Sequence, residues 1–450
     1  MSLLPDAKSL PLTPPHGFVL SLRPGGNRAI ALTGRQGLKQ DSYLPSGAGR
    51  LLAARFLRSL AQGGLVVDFA LYLHHLGWSG TEIGFLTTAS FLVGSLLSLA
   101  VGALADRFGY RGMLLGYEFC LAVVFLGAML STGVLVVSVG AVLGGFGRGA
   151  NGAPGCFVPA ELAWLAELVS PAHRAAVYNL NTAAGLVGMA LGAAGAAFAF
   201  GLTHGHPAEA PYRVMFMVGA ALSIGNAMLI LAVPKTRAGS QAAGGIRGRR
   251  SASGGSALRL TSAERRSVLR LGAVNILDGV AVGLSGPLAA YWFALRFGLG
   301  VVAIGPVVAT GFLIAAACAW AAGRASSRLG STRTFVRMRM LALALLVLLP
   351  WMPTFRLAAV VWIIRFALER GSTGAREAVT ASLVGERRRA RASALSVASL
   401  AMPRAAGPIM AGYWIGAGWF AAPFCAAALF QGLYLVLFSG SFSARQENAA

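Results

Sequence analysis

Charged residues are scarce in this chain: only 12% of its 450 residues are Asp, Glu, Lys or Arg, whereas 56% are apolar. The mean hydropathy is +0.67, which excludes a soluble globular protein of this length. Long apolar runs instead predict an integral membrane protein, because a helix needs about 20 apolar residues to cross a bilayer. The runs are continuously apolar rather than alternating, so they exclude the strands of a membrane β-barrel and predict an all-α fold.

Acidic residues are scarcer than basic ones, with 15 Asp and Glu against 38 Lys and Arg. The net charge of +23 could suggest a nucleic acid partner, but the basic residues lie mostly in loops between apolar runs. There they indicate topology and can contact acidic lipid headgroups. If most of these loops are cytoplasmic, only Arg213, Arg296 and Arg356 fall in loops on the outer side of the membrane. We therefore predict cytoplasmic N and C termini, membrane lipid as a partner, and no nucleic acid.

Cysteine is also rare, and the sequence has no visible catalytic or metal-binding pattern. The four cysteines lie within or beside apolar runs without metal-ligand spacing, which excludes a disulfide framework. Residues 147–152 match a dinucleotide-binding glycine pattern, but no strand precedes them. No Ser/His/Asp arrangement or pair of catalytic carboxylates stands out. We predict that the chain is not an enzyme and needs no metal or cofactor.

Twelve apolar runs divide the chain into two sets of six predicted membrane spans. The runs lie near 52–75, 81–103, 113–132, 134–155, 175–202 and 212–233, and near 267–293, 301–323, 335–352, 355–380, 391–416 and 419–439. The predicted domains are a disordered basic cytoplasmic tail (1–50), an N-terminal six-helix bundle (51–233), a cytoplasmic linker (234–266), a C-terminal six-helix bundle (267–440) and a cytoplasmic tail (441–450).

A polar stretch between spans two and three carries the most specific motif. It reads Gly102-Ala-Leu-Ala-Asp106-Arg107-Phe-Gly109-Tyr-Arg111, and it predicts a tight turn at the cytoplasmic surface. With Leu114, it resembles signature A of the major facilitator superfamily, although Tyr110 stands where that family usually has a basic residue. The resemblance implies a transporter with a cytoplasmic gate, in which Asp106 and its arginines clasp the opposite half and hold the outward-facing state. The predicted gate comprises Gly102, Asp106, Arg107, Gly109 and Arg111.

The two halves repeat each other at an offset of about 221 residues. The matched positions are Gly77 and Gly298, Gly109 and Gly330, Arg107 and Arg328 and, with one inserted residue, Arg148 and Arg370. Both halves therefore have the same orientation, and the family resemblance implies two pseudo-symmetric six-helix bundles. The second copy of the hinge, residues 323–330, has Ser327 in place of an aspartate.

Two aspartates inside predicted spans are candidates for substrate or proton coupling. An ionisable group at the bilayer centre costs about 2.5–3.5 kcal/mol, so it usually faces a cavity or a partner. Asp68 in span one precedes Tyr72 by one helical turn, and Asp278 in span seven follows Asn275. A carboxyl group in apolar surroundings favours its neutral form, as coupling requires. Each aspartate could instead form a structural ion pair with a cavity arginine.

Arginines inside the spans form a second set of candidates. Arg148 resembles the arginine of the family's span-four signature, and Arg370 occupies the matching point of span ten. This pair could hold an anion, but a structural or proton-relay role is preferred because both lie toward the inner end. Arg365 lies deeper and has no charged repeat mate, so it is the preferred anion contact. Glu118 is interpreted as an interfacial or interhelical contact and Glu161 as a loop salt bridge.

These observations predict a secondary active transporter that moves a small organic solute by alternating access. Proton-coupled efflux by an antiporter is the preferred interpretation, and proton-coupled uptake of a metabolite or organic anion is the alternative. A non-transporting membrane sensor or scaffold is the rival class. We expect the proton gradient to supply the energy, the cell (inner) membrane to be the location, and the chain to act as a monomer.

Overall fold

The computed structural model describes residues 44–148, 155, 158–170, 173–203, 209–234, 262–382 and 399–442. The predicted N-terminal tail up to residue 43, the linker from 235 to 261 and the end of the chain from 443 lie outside these residues. All regular secondary structure in the described ranges is helical. The predicted all-α fold is therefore confirmed.

The main helices of the described ranges follow one another in chain order. They are α1 (Ser46–His75), α2 (Gly80–Leu130), α3 (Val134–Gly144), α4 (Val158–Leu168), α5 (Arg174–Leu202), α6 (Ala210–Ala232), α7 (Ser262–Ser285), α8 (Ala289–Phe297), α9 (Val301–Leu329), α10 (Ser331–Leu348), α11 (Phe355–Gly371), α12 (Thr373–Ser382), α13 (Gly407–Gly416) and α14 (Ala422–Phe442).

Within the described ranges, nine helical stretches are long and apolar enough to cross a membrane, as an integral membrane protein requires. They correspond to predicted spans one to three, five to nine and twelve. The other three predicted spans contain shorter helices: α3 in span four, α11 and most of α12 in span ten, and α13 in span eleven. The count of twelve spans remains a prediction.

The repeat seen in the sequence is present in the backbone. Gly109 interrupts α2 with φ +70° and ψ +155°, and its mate Gly330 separates α9 from α10 with φ +84° and ψ +148°. Gly77 and Gly298, which follow α1 and α8, also have positive φ. Glycine suits all four positions because a Cβ atom is strained there. The turn is tighter than predicted, since Gly102 is helical and only Gly109 breaks α2.

Glycines at four-residue spacing, such as Gly188 and Gly192 or Gly412 and Gly416, bring helix backbones together. Within the N-terminal half, a Cβ atom on Gly192 of α5 would lie 2.1 Å from the Leu60 carbonyl oxygen of α1. Between the halves, a Cβ atom on Gly412 of α13 would lie 2.1 Å from the Gly80 carbonyl oxygen of α2. Side chains would force these helices apart, so small residues set the distance at both contacts.

The halves meet where α1 ends and α2 begins. Gly80 and Gly84 of α2 pack on α13, and Gly305 of α9 packs on Ala193 and Ala197 of α5. At the same end, the His74 ring of α1 lies 5.4 Å from the Tyr291 ring of α8. This contact zone is called the glycine interface below.

Adding a methyl group at the glycine interface should separate the halves or strain the helices. We expect Gly412→Ala to lower the free energy of unfolding by about 1–3 kcal/mol, because the new Cβ atom meets backbone. Gly195→Ala is the matched control, since nothing lies within 4 Å of that site. It should leave stability unchanged or raise it by up to about 1 kcal/mol. Thermal unfolding in detergent tests this, and equal stability of the two variants would contradict it.

Candidate functional site

Asp68 is a buried carboxylate without a partner in the described part of the chain. It lies on α1, is 2% exposed, and neither carboxylate oxygen accepts a hydrogen bond. Tyr72 lies one turn further along, and its ring is 4.8 Å from that of Tyr212 on α6. The Asp68 carboxylate is within electrostatic range of Tyr212. Asp68 forms no ion pair among these residues, so the structural alternative that the sequence left open for it is not observed.

Asp278 has the opposite environment, because two arginines hold it. Arg339 of α10 donates a hydrogen bond to one carboxylate oxygen, and Arg376 of α12 lies 3.3 Å from the other. The side chains of Asp278 and Arg339 are 2% and 3% exposed. Asn275, its predicted companion, donates instead to the Ser399 hydroxyl at 3.1 Å. For Asp278 the structure therefore shows the ion pair that the sequence left as an alternative.

The ion pairs of the C-terminal half extend to Arg365. One carboxylate oxygen of Glu369 lies 3.7 Å from the Arg339 guanidinium, and the other lies 3.1 Å from that of Arg365. Arg365 and Glu369 are four residues apart on the same helix. Arg365 also donates to the Ser285 hydroxyl of α7 at 2.7 Å. The predicted anion contact thus has a carboxylate partner already. These contacts link α7, α10, α11 and α12.

A second buried ion cluster lies in the N-terminal half. Arg58 of α1 is 2.7 Å from Glu118 of α2 and 2.7 Å from Glu161 of α4, and the three side chains are 4%, 1% and 2% exposed. The predicted interhelical contact of Glu118 is present. Glu161 forms the predicted salt bridge, but its location in a loop is wrong, because Glu161 lies on α4 and its carboxylate is buried against Arg58.

Two members of each ion cluster occupy corresponding positions of the repeat and carry opposite charges. Arg339 follows Glu118 by 221 residues, the offset of the repeat, and Asp278 follows Arg58 by 220. In the N-terminal half a cation sits between two carboxylates, whereas in the C-terminal half a carboxylate sits between two arginines. Each cluster ties the first helix of its half to the third span and to a short helix further along the chain, α4 in the N-terminal half and α12 in the C-terminal half. Arg58 with Asp278 and Glu118 with Arg339 therefore carry opposite charges at closely corresponding points of the repeat, whereas Glu161 and Arg376 are 215 residues apart and are not repeat mates.

Arg148 and Arg370 are repeat mates with different contacts. The Arg148 guanidinium donates to the Ser90 carbonyl oxygen at 3.2 Å and packs against Gly94, so it braces α2. The Arg370 guanidinium lies 5.5 Å from the Phe366 ring. Within the described ranges, Arg370 forms no ion pair. The predicted structural role suits Arg148.

The predicted cytoplasmic gate is only partly described. The side chains of Asp106 and Arg107 lie outside the described residues. Arg111 donates to the Leu231 carbonyl oxygen at 2.5 Å, and Arg50 donates to that of Ala232. Both arginines thus satisfy carbonyls at the end of α6, where a helix leaves such groups without partners. Arg111 contacts its own half here, and the clasp on the opposite half remains a prediction.

The predicted site residues therefore fall into separate groups. Arg339 and Glu369 connect Asp278 to Arg365, whereas Asp68 and Tyr72 belong to an aromatic group of α1 and α6. Sequence reasoning missed Arg58, Arg339 and Glu369, because the two arginines resembled loop charges near helix ends. Opposite charges at the repeat offset were the signal that could have found the first two.

The described residues contain no cluster of three possible metal ligands.

The comparison with protein families decides the classification. The family model of the Major Facilitator Superfamily matches residues 51–375, which is most of the chain. The chain belongs to the major facilitator superfamily. Membership in this family of transporters confirms the resemblance seen in the hinge, the prediction of a transporter for a small solute, and the prediction that the chain is not an enzyme.

Solved structures of transporters share the fold of this superfamily member. A bacterial homologue of the human lysosomal transporter Spinster, inward-facing and unoccupied, is 15% identical with a TM-score of 0.65, over 90% of this chain and 98% of that one. The nucleoside transporter NupG is 11% identical with a TM-score of 0.65, over 88% and 100%. The inward-open xylose transporter XylE from E. coli is 14% identical with a TM-score of 0.62, over 85% and 95%. No curated protein sequence matches the chain.

Breaking a buried ion cluster should destabilise this transporter far more than breaking an exposed ion pair. We expect Arg58→Gln to cost about 3–5 kcal/mol, because it strands two buried carboxylates. Arg213→Gln is the matched control, since it breaks a pair with Glu209 in which the side chains are 59% and 43% exposed. That change should cost at most about 1 kcal/mol. Chemical unfolding in detergent gives both values, and similar losses would refute the structural role of the Arg58 cluster.

Proposed function

We propose that this transporter couples solute movement to protons and that Asp68 carries the coupled proton. The observation that supports this is the isolation of Asp68: its carboxylate is buried beside Tyr72 and Tyr212 and has no partner among the described residues. Asp278, the second candidate, already has two arginines. Of the two candidate aspartates, Asp68 is therefore the one whose charge nothing in the described residues compensates.

The isolation of Asp68 favours exchange over cotransport. An unpaired carboxylate in apolar surroundings is costly when charged, so either a proton or a polar group of the solute must compensate it. If the two alternate at one carboxylate, each leaves as the other arrives. With a proton gradient directed into the cell, this exchange drives efflux of a small organic solute. Tyr72 would orient the carboxylate or contact the solute.

Uptake of an organic anion is the second candidate function. Arg370 and Arg404 form no ion pair within the described ranges, and both lie within electrostatic range of Glu369. Arg339, Arg365 and Arg376 add positive charge to the same half, against Asp278 and Glu369. A solute with a carboxylate or phosphate could balance this excess, and a proton on Asp68 could accompany it.

Alternating access would use the two halves as stiff bodies. The ion clusters around Arg58 and Asp278 tie several helices together inside each half, which favours rotation of whole halves over local bending. The glycine interface would form the closed outer end, and the hinge with Gly102, Asp106, Arg107, Gly109 and Arg111 would close the cytoplasmic end in the outward-facing state. The inward-facing state of the similar Spinster homologue supports this assignment.

We further propose twelve spans with both termini in the cytoplasm and placement in the cell membrane. The loop arginines support this topology. A cysteine introduced at Arg445 should react with a membrane-impermeant thiol reagent only after the cells are opened, in a variant whose four native cysteines are replaced. A cysteine at Arg356 is the control and should react in intact cells. Labelling of the Arg445 site in intact cells would overturn the topology.

Proton movement should depend on Asp68. A thermal-shift screen of organic solutes supplies a transported probe, and proteoliposomes with an internal pH dye report the protons that accompany it. We expect Asp68→Asn to reduce probe-driven proton flux at least tenfold, because asparagine cannot release a proton. Exchange of probe for probe across the membrane should continue. Glu167→Gln is the control, since Glu167 is exposed on α4. Proton flux that persists in Asp68→Asn would refute the assignment of Asp68. In the original protein, protons that move opposite to the probe indicate exchange and hence efflux, whereas protons that move with the probe indicate uptake.

A further inference from the structure

The second copy of the hinge has a different charge from the first. Residues 323–330 carry Arg324 and Arg328 in the last two turns of α9, and Trp320 lies one turn before them. Ser327 stands in the place of the acidic residue, and the sequence has no Asp or Glu between Asp278 and Glu369. The matching positions of the first copy are Leu99, Ala103, Asp106 and Arg107. The transport mechanism proposed above does not use this basic segment.

The side chains at the end of α9 form an exposed basic site. The Arg324 guanidinium carbon lies 3.4 Å from the centre of the Trp320 ring, and Trp320 is 65% exposed. Arg324, Ala325, Arg328 and Leu329 line a surface recess of about 440 Å³. Among the described residues, neither arginine has a carboxylate partner. This site, formed by Trp320, Arg324 and Arg328, is called the α9 arginine site.

The geometry leaves the donors of both arginines available. Stacking on Trp320 uses the face of the Arg324 guanidinium, whereas its N–H groups lie in the plane and point outward. Arg328 follows Arg324 by four residues, so both lie on one helix face. Two guanidinium groups side by side can hold the oxygens of one phosphodiester through paired charged hydrogen bonds.

The surroundings favour a lipid over a soluble anion. α9 is one of the candidate membrane spans, and Trp320 lies one turn before its arginines, as tryptophan does at membrane interfaces. Leu313 precedes Trp320 by two turns on the same face and is 49% exposed, and Leu329 beside the recess is 47% exposed. An apolar chain could lie along this face while the phosphate occupies the recess.

We propose that the α9 arginine site binds the headgroup of an anionic glycerophospholipid. The phosphate contacts Arg324 and Arg328, Trp320 holds Arg324 in place, and the acyl chains run from there along α9 past the exposed Leu313. The first hinge copy lacks this site, because it carries an aspartate and has neither the tryptophan nor the first arginine. The lipid would thus bind one half and leave its repeat mate free.

Native mass spectrometry of the purified full chain tests the proposal, with phosphatidylglycerol and phosphatidylcholine as competing probes. We expect preferential retention of phosphatidylglycerol, reduced about five-fold by Arg324→Gln and about five-fold by Arg328→Gln. Trp320→Leu should also reduce retention, although it leaves the charge unchanged. Arg337→Gln is the matched control: it removes one exposed positive charge on α10, outside the recess, and should retain the lipid like the original protein.

Three results would overturn the proposal. Equal loss in Arg337→Gln and Arg324→Gln would show general attraction to basic loops, and unchanged retention in a double variant at positions 324 and 328 would show that the lipid binds elsewhere. Displacement by inorganic phosphate at the lipid concentration would assign the site to soluble anions. Thermal unfolding without added lipid should be the same for all variants, which separates loss of binding from loss of fold.

Discussion

Buried ion clusters are the constraint on which this structure depends. An unpaired charge inside a membrane protein is especially costly, and a partner of opposite charge offsets part of that cost. Arg58, with its two glutamates, and Asp278, with its two arginines, have such partners at matching places in the two halves. Each cluster connects the first helix of its half to later helices of the same half. The ion pairs therefore hold these helices together as one rigid unit. Asp68 has no partner in the described residues, and this contrast makes it the candidate for coupling.

Much of the fold could be predicted because a membrane reduces the choices. Long apolar runs had to be helices, and glycine marked the chain reversals at Gly109 and Gly330, where positive φ is required. The repeat could be read from glycines and arginines at a constant offset. The all-helical fold and the family followed from these few features.

The site was harder to predict, because the position of a residue along a predicted span does not show which neighbouring helix its side chain faces. Arg339 looked like a loop residue, yet α10 begins at Ser331 and places it two turns inside, against Asp278. Glu161 looked like a surface charge for the same reason. Asp68 and Asp278 appeared equivalent as lone aspartates, and only the positions of neighbouring helices separate them. Which charges compensate each other is a property of packing.

The glycine interface has a consequence for how easily the halves can part. Gly80 and Gly412 meet through main-chain atoms, with no side chains interlocked between them. Helices that meet in this way can separate and rejoin without a change of rotamer at the contact, so little side-chain ordering is lost or regained there in each cycle. When the halves part, the peptide groups exposed at this contact must be solvated. The joint is therefore suited to repeated opening rather than to permanent adhesion.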